Sequence, residues 1–219
     1  MATRRGGKER MPLLFVFDMD DVLYRYDFRV RMAHLTEHLG YDLDELRRRW
    51  WHEDGELKAE AGGFADADEY LSAFQRAMES DISAEDWIRY RSNGMTPDHE
   101  SIAAAARAAE LGDVTLLTNN GPLLGKYLPT VAPLLVPIFG EHLHTSSEYG
   151  ARKPDPKVFE RAIAAHGGRP ETTFFADDLQ INVDGARSIG VTAHRYDGDA
   201  AALLTAIEEF ARERGRLAS

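Results

Sequence analysis

Three observations predict a doubly wound α/β fold, a parallel sheet with helices on both faces, carrying a small inserted helical bundle. Short apolar runs recur between helical stretches, at 13–17, 114–117 and 172–176, the alternation from which parallel sheets are built. The stretch 24–95 between the first two runs shows helical spacing throughout. Each apolar run also ends in polar or acidic residues, and in open parallel sheets ligands collect at those carboxyl ends. The expected organisation is a basic arm without order at 1–10, a core formed by 11–23 and 96–219, and a helical cap at 24–95.

Leu13 to Phe17 is too short for a typical helix and rich in aromatic and branched residues, so a strand buried on both faces is expected. It stops at Asp18, Asp20 and Asp21. Val30, Ala33, His34 and Leu35 fall at helical spacing, with Gly40 placed to stop that helix. Asp42 followed by Glu45 reads as a capping box opening one helix, LDELRRRWWHEDGELKAE, closed by Gly62 and Gly63. Tyr70, Leu71, Phe74 and Met78 share a face of the next, and Ser83 with Asp86 opens a last one, four helices in all. Trp50, Trp51 and Trp87 are expected in the cap core. The run Arg47 to Arg49 and the residues His52, Glu56 and Lys58 face either substrate or solvent.

From Thr96 the alternation resumes. SIAAAARAAEL is an Ala-rich helix ended by Gly112, and Val114 to Leu117 a strand ending in Thr118-Asn119-Asn120-Gly121. The stretch 121–150 reads as loop-rich because prolines at 122, 129, 133 and 137 break any long helix. Helices are expected at 157–166, 182–189 and 200–214, with strands at 172–176 and 191–196. The first of those strands ends in a second acid pair, Asp177-Asp178.

Composition narrows the function classes. A chain of 219 residues with 43% hydrophobic and 10% aromatic residues forms one full core plus a smaller unit. A net charge of −11 argues against holding a nucleic-acid backbone, which needs a basic face. The absence of cysteine removes disulfides, thiolate metal sites and cysteine nucleophiles. The basic opening is followed by an apolar run that stops at Asp18 with no small-residue cleavage site, and nothing approaches a membrane span. A cytoplasmic protein with no nucleic-acid or membrane partner, monomer or homodimer, is therefore expected.

Asp18 and Asp20, Thr118, and Asp177 with Asp178 end three different strands, and Lys153 lies between the last two groups. Carboxylates gathered in one crevice repel and raise each other's pKa unless a cation sits among them. Oxygen ligands supplied by carboxylates, water and substrate phosphate are what Mg²⁺ takes. With a lysine and a metal facing one point, the matching substrate group is a phosphoryl, its oxygens shared with Lys153 and the Thr118 hydroxyl. One carboxylate can then act as nucleophile through an aspartyl-phosphate, and an acid two residues on can protonate the leaving oxygen and later activate water. Asn119 either orients phosphate or caps a turn. His142 and His144 alternate as on a strand and are potential metal ligands, but no third ligand stands near them in sequence, so a surface role is expected.

These residues resemble the haloacid dehalogenase superfamily in its phosphatase branch, from about residue 11 onward. FDMDDVL is similar to the first motif, LLTNN to the second, the lysine of RKPDP to the third, and FFADDLQINVDGARSIG to the fourth with its trailing Asn and Gly-Ala. The resemblance implies a Rossmann-like core and Mg²⁺ as cofactor, with Asp18 as nucleophile and Asp20 as general acid and base. It places phosphate at Thr118, Asn119 and Lys153. Metal is implied at Asp18, Asp20, Asp177 and Asp178, Asp20 through its backbone carbonyl. The insertion is similar to the bundle cap of subfamily I, and the overall pattern looks closest to α-D-glucose-1-phosphate phosphatase-like members. Position 21 is Asp where many members have Gly. Asp20 argues against a 2-haloacid dehalogenase, which lacks an acid there. The expected activity is hydrolysis of a small phosphorylated metabolite, a sugar phosphate or nucleotide. The alternatives are a phosphomutase of the same superfamily and a non-catalytic phosphate-binding or interaction domain; a response-regulator-like receiver fails on motif order.

Overall fold

The computed structural model describes residues 12–52 and 54–217, and the expected basic arm lies outside them. Five parallel strands form the central sheet: β1 (Leu14–Phe17), β4 (Asp113–Thr118), β5 (Leu143–Thr145), β6 (Thr173–Asp177) and β7 (Thr192–Arg195), in the order β5-β4-β1-β6-β7. The chain builds outward from β1 through β4 to β5, then crosses to the other side for β6 and β7. The strand order therefore reverses between β1 and β6, and a crevice opens there beyond the carboxyl ends.

The alternation of side chains sorts the core into two layers. Phe15 and Phe17 of β1 face the same side as Leu116, Phe174 and Ala176. Phe15 meets Phe210 of α11 (Ala200–Glu213) at 5.5 Å between ring centres. Leu14 and Val16 face the other side with Leu117 and Phe175, where Phe159 of α9 (Pro156–Ala165) packs at 5.1 Å. Every residue of β1 is buried, and a fully buried Phe or Leu stabilises by about 1.5–3 kcal/mol. The acids at the end of β1 thus stand on a rigid platform.

Helices α1 (Phe28–Leu39), α2 (Leu43–Arg49), α3 (Glu56–Glu60), α4 (Ala67–Met78) and α5 (Ala84–Asn93) form the insertion. Each cap follows from local chemistry. The carboxylates of Asp27, Asp42 and Asp66 accept from backbone N–H groups of α1, α2 and α4, as the Ser83 hydroxyl does for α5. Gly40 ends α1 at φ 73°.

Two local expectations are corrected. The single helix expected from Asp42 to Glu60 is two, because the chain folds back on Trp50. Its indole stacks on Phe64 at 5.9 Å and donates from Nε1 to Glu56 Oε2 at 2.6 Å, while Gly55 lies so close to the Trp50 carbonyl that a Cβ would stand 2.0 Å from its oxygen. Among the described residues the insertion consequently has five helices. The stretch read as loop-rich contains α7 (Pro122–Val131), a 3₁₀ turn at Pro133–Leu135, α8 (Val136–Phe139) and β5. Pro122, Pro133 and Pro137 occupy first turns, where a missing N–H costs nothing, and only Pro129 lies inside a helix. The insertion is also rooted in a ribbon outside the expected pattern, β2 (Tyr24–Tyr26) paired antiparallel with β3 (Met95–Pro97). Among the described residues no single helix is long and apolar enough to cross a membrane.

Candidate active site

Asp18 directly follows β1, held by its N–H to the Ala176 carbonyl of the neighbouring strand at 3.0 Å. Asp177 is the last residue of β6. The ammonium of Lys153 lies between them, 2.9 Å from Asp18 Oδ1 and 2.7 Å from Asp177 Oδ2. Lys153 and Asp177 are fully enclosed and Asp18 nearly so, at 1%, 0% and 7% exposure. The Asp177 carboxylate is further fixed by the Asn182 amide, at 2.9 and 3.1 Å, and by the Leu179 N–H at 2.9 Å.

Asp18, Asp177 and Asp178 each offer a carboxylate oxygen, all within 4.8 Å of one another. Against these three acids stands one buried lysine. Burial pushes the Asp18 carboxyl well above its ordinary value, opposed by Lys153 and reinforced by Asp177 and Asp20. Burial, with Asp177 beside it, likewise pushes Asp178 up to about 6. A set of hard oxygen donors with excess negative charge fits a small divalent cation such as Mg²⁺.

The Asp20 carboxylate stands outside this cluster. Both of its oxygens accept from Arg91 Nη2 of α5, at 2.5 and 2.6 Å, so the acid two residues after Asp18 is tied to the insertion. Asp21 takes φ 57°, the left-handed region favoured by glycine. Its Oδ1 accepts from the Tyr26 N–H at 3.0 Å, and its own N–H donates to the Tyr24 carbonyl at 2.7 Å. The extra carboxylate therefore closes the turn into β2.

The buried Thr118 hydroxyl accepts from Asn120 Nδ2 at 2.8 Å. Asn119 engages the Lys153 backbone with both ends of its amide, donating to the carbonyl and accepting from the N–H at 2.9 Å each. Its side chain positions the lysine loop. Just beyond, Gly121 passes beneath the insertion: a Cβ there would come within 2.9 Å of Ala59 and 3.2 Å of the Tyr70 ring.

The insertion brings its own polar groups to this closed face. Glu56 Oε2 accepts from Trp50 Nε1 and from the Tyr70 hydroxyl at 2.8 Å. Arg31, 3% exposed, lies over the Trp87 ring at 4.3 Å with Nε and Nη2 lacking hydrogen-bond partners. Arg91 lies over Tyr26 at 3.5 Å, with Nε and Nη1 likewise unpartnered. Glu60 of α3 accepts from Arg152 Nε at 2.5 Å, a second tie between insertion and core. Arg31 and Arg91 carry no signal in the sequence, whereas Asn182 is the trailing Asn of the fourth motif. It stands five positions after Asp177, and the structure gives it the task of holding that carboxylate.

The family model described as haloacid dehalogenase-like hydrolase matches residues 13–190. The chain belongs to this family. Among its relatives, Phosphatase MT3486 of Mycobacterium tuberculosis is 29% identical over 189 residues, covering 83% of this chain and 86% of that protein. A phosphoserine phosphatase of Thermus thermophilus is 37% identical over 101 residues, 44% of this chain and 38% of its own. In structure, a haloacid dehalogenase family enzyme of Bacteroides thetaiotaomicron, crystallised with magnesium and inorganic phosphate, superposes with a TM-score of 0.70 at 19% identity. That match covers 86% of this chain and 96% of the other. The L-2-haloacid dehalogenase of Xanthobacter autotrophicus shares the fold at a TM-score of 0.57 and 19% identity, covering 88% and 81%. This haloacid dehalogenase-like hydrolase thus has phosphatases among its named relatives, and its fold neighbours span more than one chemistry.

Proposed function

We propose that the protein is a Mg²⁺-dependent phosphomonoester hydrolase of a small phosphorylated metabolite, working through an aspartyl-phosphate on Asp18. The observation that carries this reading is the enclosed Asp18–Lys153–Asp177 group with the Thr118 hydroxyl at the neighbouring strand end. The magnesium and phosphate bound to the Bacteroides neighbour agree with it.

In this reading Asp18 Oδ attacks phosphorus while the bond to the leaving oxygen breaks, and Asp20 gives that oxygen its proton. Asp20, now ionised, takes a proton from water. The resulting hydroxide attacks phosphorus, inorganic phosphate leaves, and the Asp18 carboxylate returns. Lys153 and Thr118 bind the non-bridging oxygens, and Asn119 and Asn182 keep Lys153 and Asp177 in place. Mg²⁺, held by Asp18, Asp177, Asp178 and the Asp20 carbonyl, would neutralise phosphoryl charge. Substrate admission requires the insertion to lift, which parts Asp20 from Arg91. The unused donors of Arg31 favour a leaving group with its own acceptor oxygens, as in a sugar phosphate, and the likeness to α-D-glucose-1-phosphate phosphatase-like members makes such esters the first to try.

The test is phosphate release from sugar phosphates, nucleotides and p-nitrophenyl phosphate, with Mg²⁺ or EDTA, beside Asp18→Asn. Turnover that requires both Mg²⁺ and Asp18 supports the proposal. Folded protein that releases no phosphate from any ester defeats it, and phosphate moved to a second position of the same sugar identifies a mutase.

A further inference from the structure

A second group of metal-ligand side chains lies at the outer edge of the sheet. His142 precedes edge strand β5, His144 lies within it, and His166 caps the C-terminus of α9. Each offers a ring nitrogen within 4.8 Å of the other two. His166 packs against His142 at 4.8 Å and against His144 at 5.8 Å between ring centres. The third imidazole comes from 22 positions beyond His144 in sequence, which is why no ligand spacing announces the group.

Three details distinguish the group from a chance meeting of surface rings. His166 Nε2 is buried with no hydrogen-bond partner, a cost that a ligated ion would remove. His144 Nδ1 lies 2.8 Å from Glu148 Oε2. Glu148 is itself fixed, its other oxygen accepting the Thr145 N–H at 2.9 Å. A carboxylate on Nδ1 sets the tautomer that leaves Nε2 as a lone pair, the arrangement that supports metal-bound histidines.

We propose that His142, His144 and His166 form a second metal site, for a nitrogen-preferring divalent ion of the Zn²⁺ class, which fastens edge strand β5 to α9. Three imidazoles with a fourth position left to water suit Zn²⁺, Co²⁺ or Ni²⁺, whereas Mg²⁺ prefers oxygen. Zn–N bonds of about 2.0–2.1 Å place ligand nitrogens roughly 3.4 Å apart. The three rings are only partly buried, so small side-chain rotations close the difference. The site is separate from the acid cluster: α9 starts three positions after Lys153 and ends at His166, and its ten residues span about 15 Å. The site therefore stands whether or not the phosphatase reading does.

The test uses untagged, chelator-stripped full-length protein titrated with Zn²⁺ in excess Mg²⁺, against a chromophoric competitor. The expected result is one equivalent bound in the wild type, weakened at least tenfold in His166→Ala and in His144→Ala, with an unfolding temperature that Zn²⁺ raises only in the wild type. Imidazole ¹⁵N NMR of the wild type reads the same site without any variant. Zn²⁺ is expected to shift the signals of His142, His144 and His166 and leave those of His34, His38, His52, His99 and His194 in place. Zn²⁺ affinity unchanged in both variants, or shifts confined to other histidines or absent, overturns the proposal.

Discussion

The two sides of the candidate active-site face treat buried charge in opposite ways. At the carboxyl end of the sheet, Lys153 is matched on both sides by Asp18 and Asp177, and Asp177 is held by three further hydrogen bonds. In the insertion, Arg31 and Arg91 are as deeply enclosed, yet each keeps two guanidinium nitrogens without a partner. A buried donor left unmade is costly. The core thus matches its buried cation, whereas the insertion leaves donors of its two cations unmatched, which the proposed function assigns to acceptors of a bound substrate.

Exchange of the nucleophile is expected to have the largest effect. Asp18→Asn should lower phosphate release by at least about 10³-fold, because removing one member of a catalytic unit costs nearly as much as removing all. A residual rate near that of the wild type would place the nucleophile elsewhere.

Removing each buried cation sharpens the contrast. Lys153→Met leaves Asp18 and Asp177 facing each other in the interior, so unfolding should be easier by about 3–5 kcal/mol. Arg31→Met removes a cation whose donors are only partly used, over the Trp87 ring. Arg31 also faces the buried Glu56 and the Tyr26 hydroxyl, so urea unfolding is expected to show a smaller loss for Arg31→Met, about 1–3 kcal/mol. A further cost should fall on turnover, as a KM raised about tenfold for sugar phosphates and little changed for p-nitrophenyl phosphate. Equal destabilisation by the two substitutions would erase the distinction between core and insertion.

Glu60, which ties α3 to Arg152, reports on their junction through pH. Burial first, with Glu56 adding and Arg152 opposing, raises its carboxyl from 4.5 to about 7. A folded-state pKa above the unfolded one gives stability that is complete below pH 4.5 and lost as pH rises through about 7. The size is on the order of 3 kcal/mol, one pKa unit being about 1.4 kcal/mol. In Glu60→Gln the fall in unfolding free energy between pH 5 and 8 should be shallower by about that amount. Identical slopes in the two proteins would show that Glu60 titrates normally.

What was legible in the sequence follows from whether the signal is local. Asp18, Thr118 and Asp177 are visible because a buried strand is a continuous apolar run and its end is abrupt. Arg91 meets Asp20 across 71 positions, and His166 joins His142 only when α9 returns along β5. Neither leaves a pattern in the chain. The helix expected through Trp50 failed for a related reason: its propensity was overruled by an indole that gains a buried hydrogen bond to Glu56 and an aromatic pocket with Phe64 and Phe74. The stretch 121–150 departs from the loop its prolines suggest because most of them start helices instead of breaking them.

The smallest expected effect concerns Asp21, where the core hands the chain to the insertion. At φ 57° an Asp carries a conformational cost that Gly does not. In return its carboxylate accepts the Tyr26 N–H at 3.0 Å at the first turn into β2. The residue is exposed, so water can replace that bond. Relief of strain and loss of an exposed hydrogen bond are each on the order of 1 kcal/mol and opposite in sign. Asp21→Gly is therefore expected to shift unfolding free energy by less than about 1 kcal/mol, while Asp21→Val, which keeps the strained φ and loses the acceptor, should lose about 2 kcal/mol. If Asp21→Gly lowered turnover tenfold without changing stability, the carboxylate would belong to the chemistry of the site instead of to the turn, and the boundary drawn between the two regions would move one residue past Asp20.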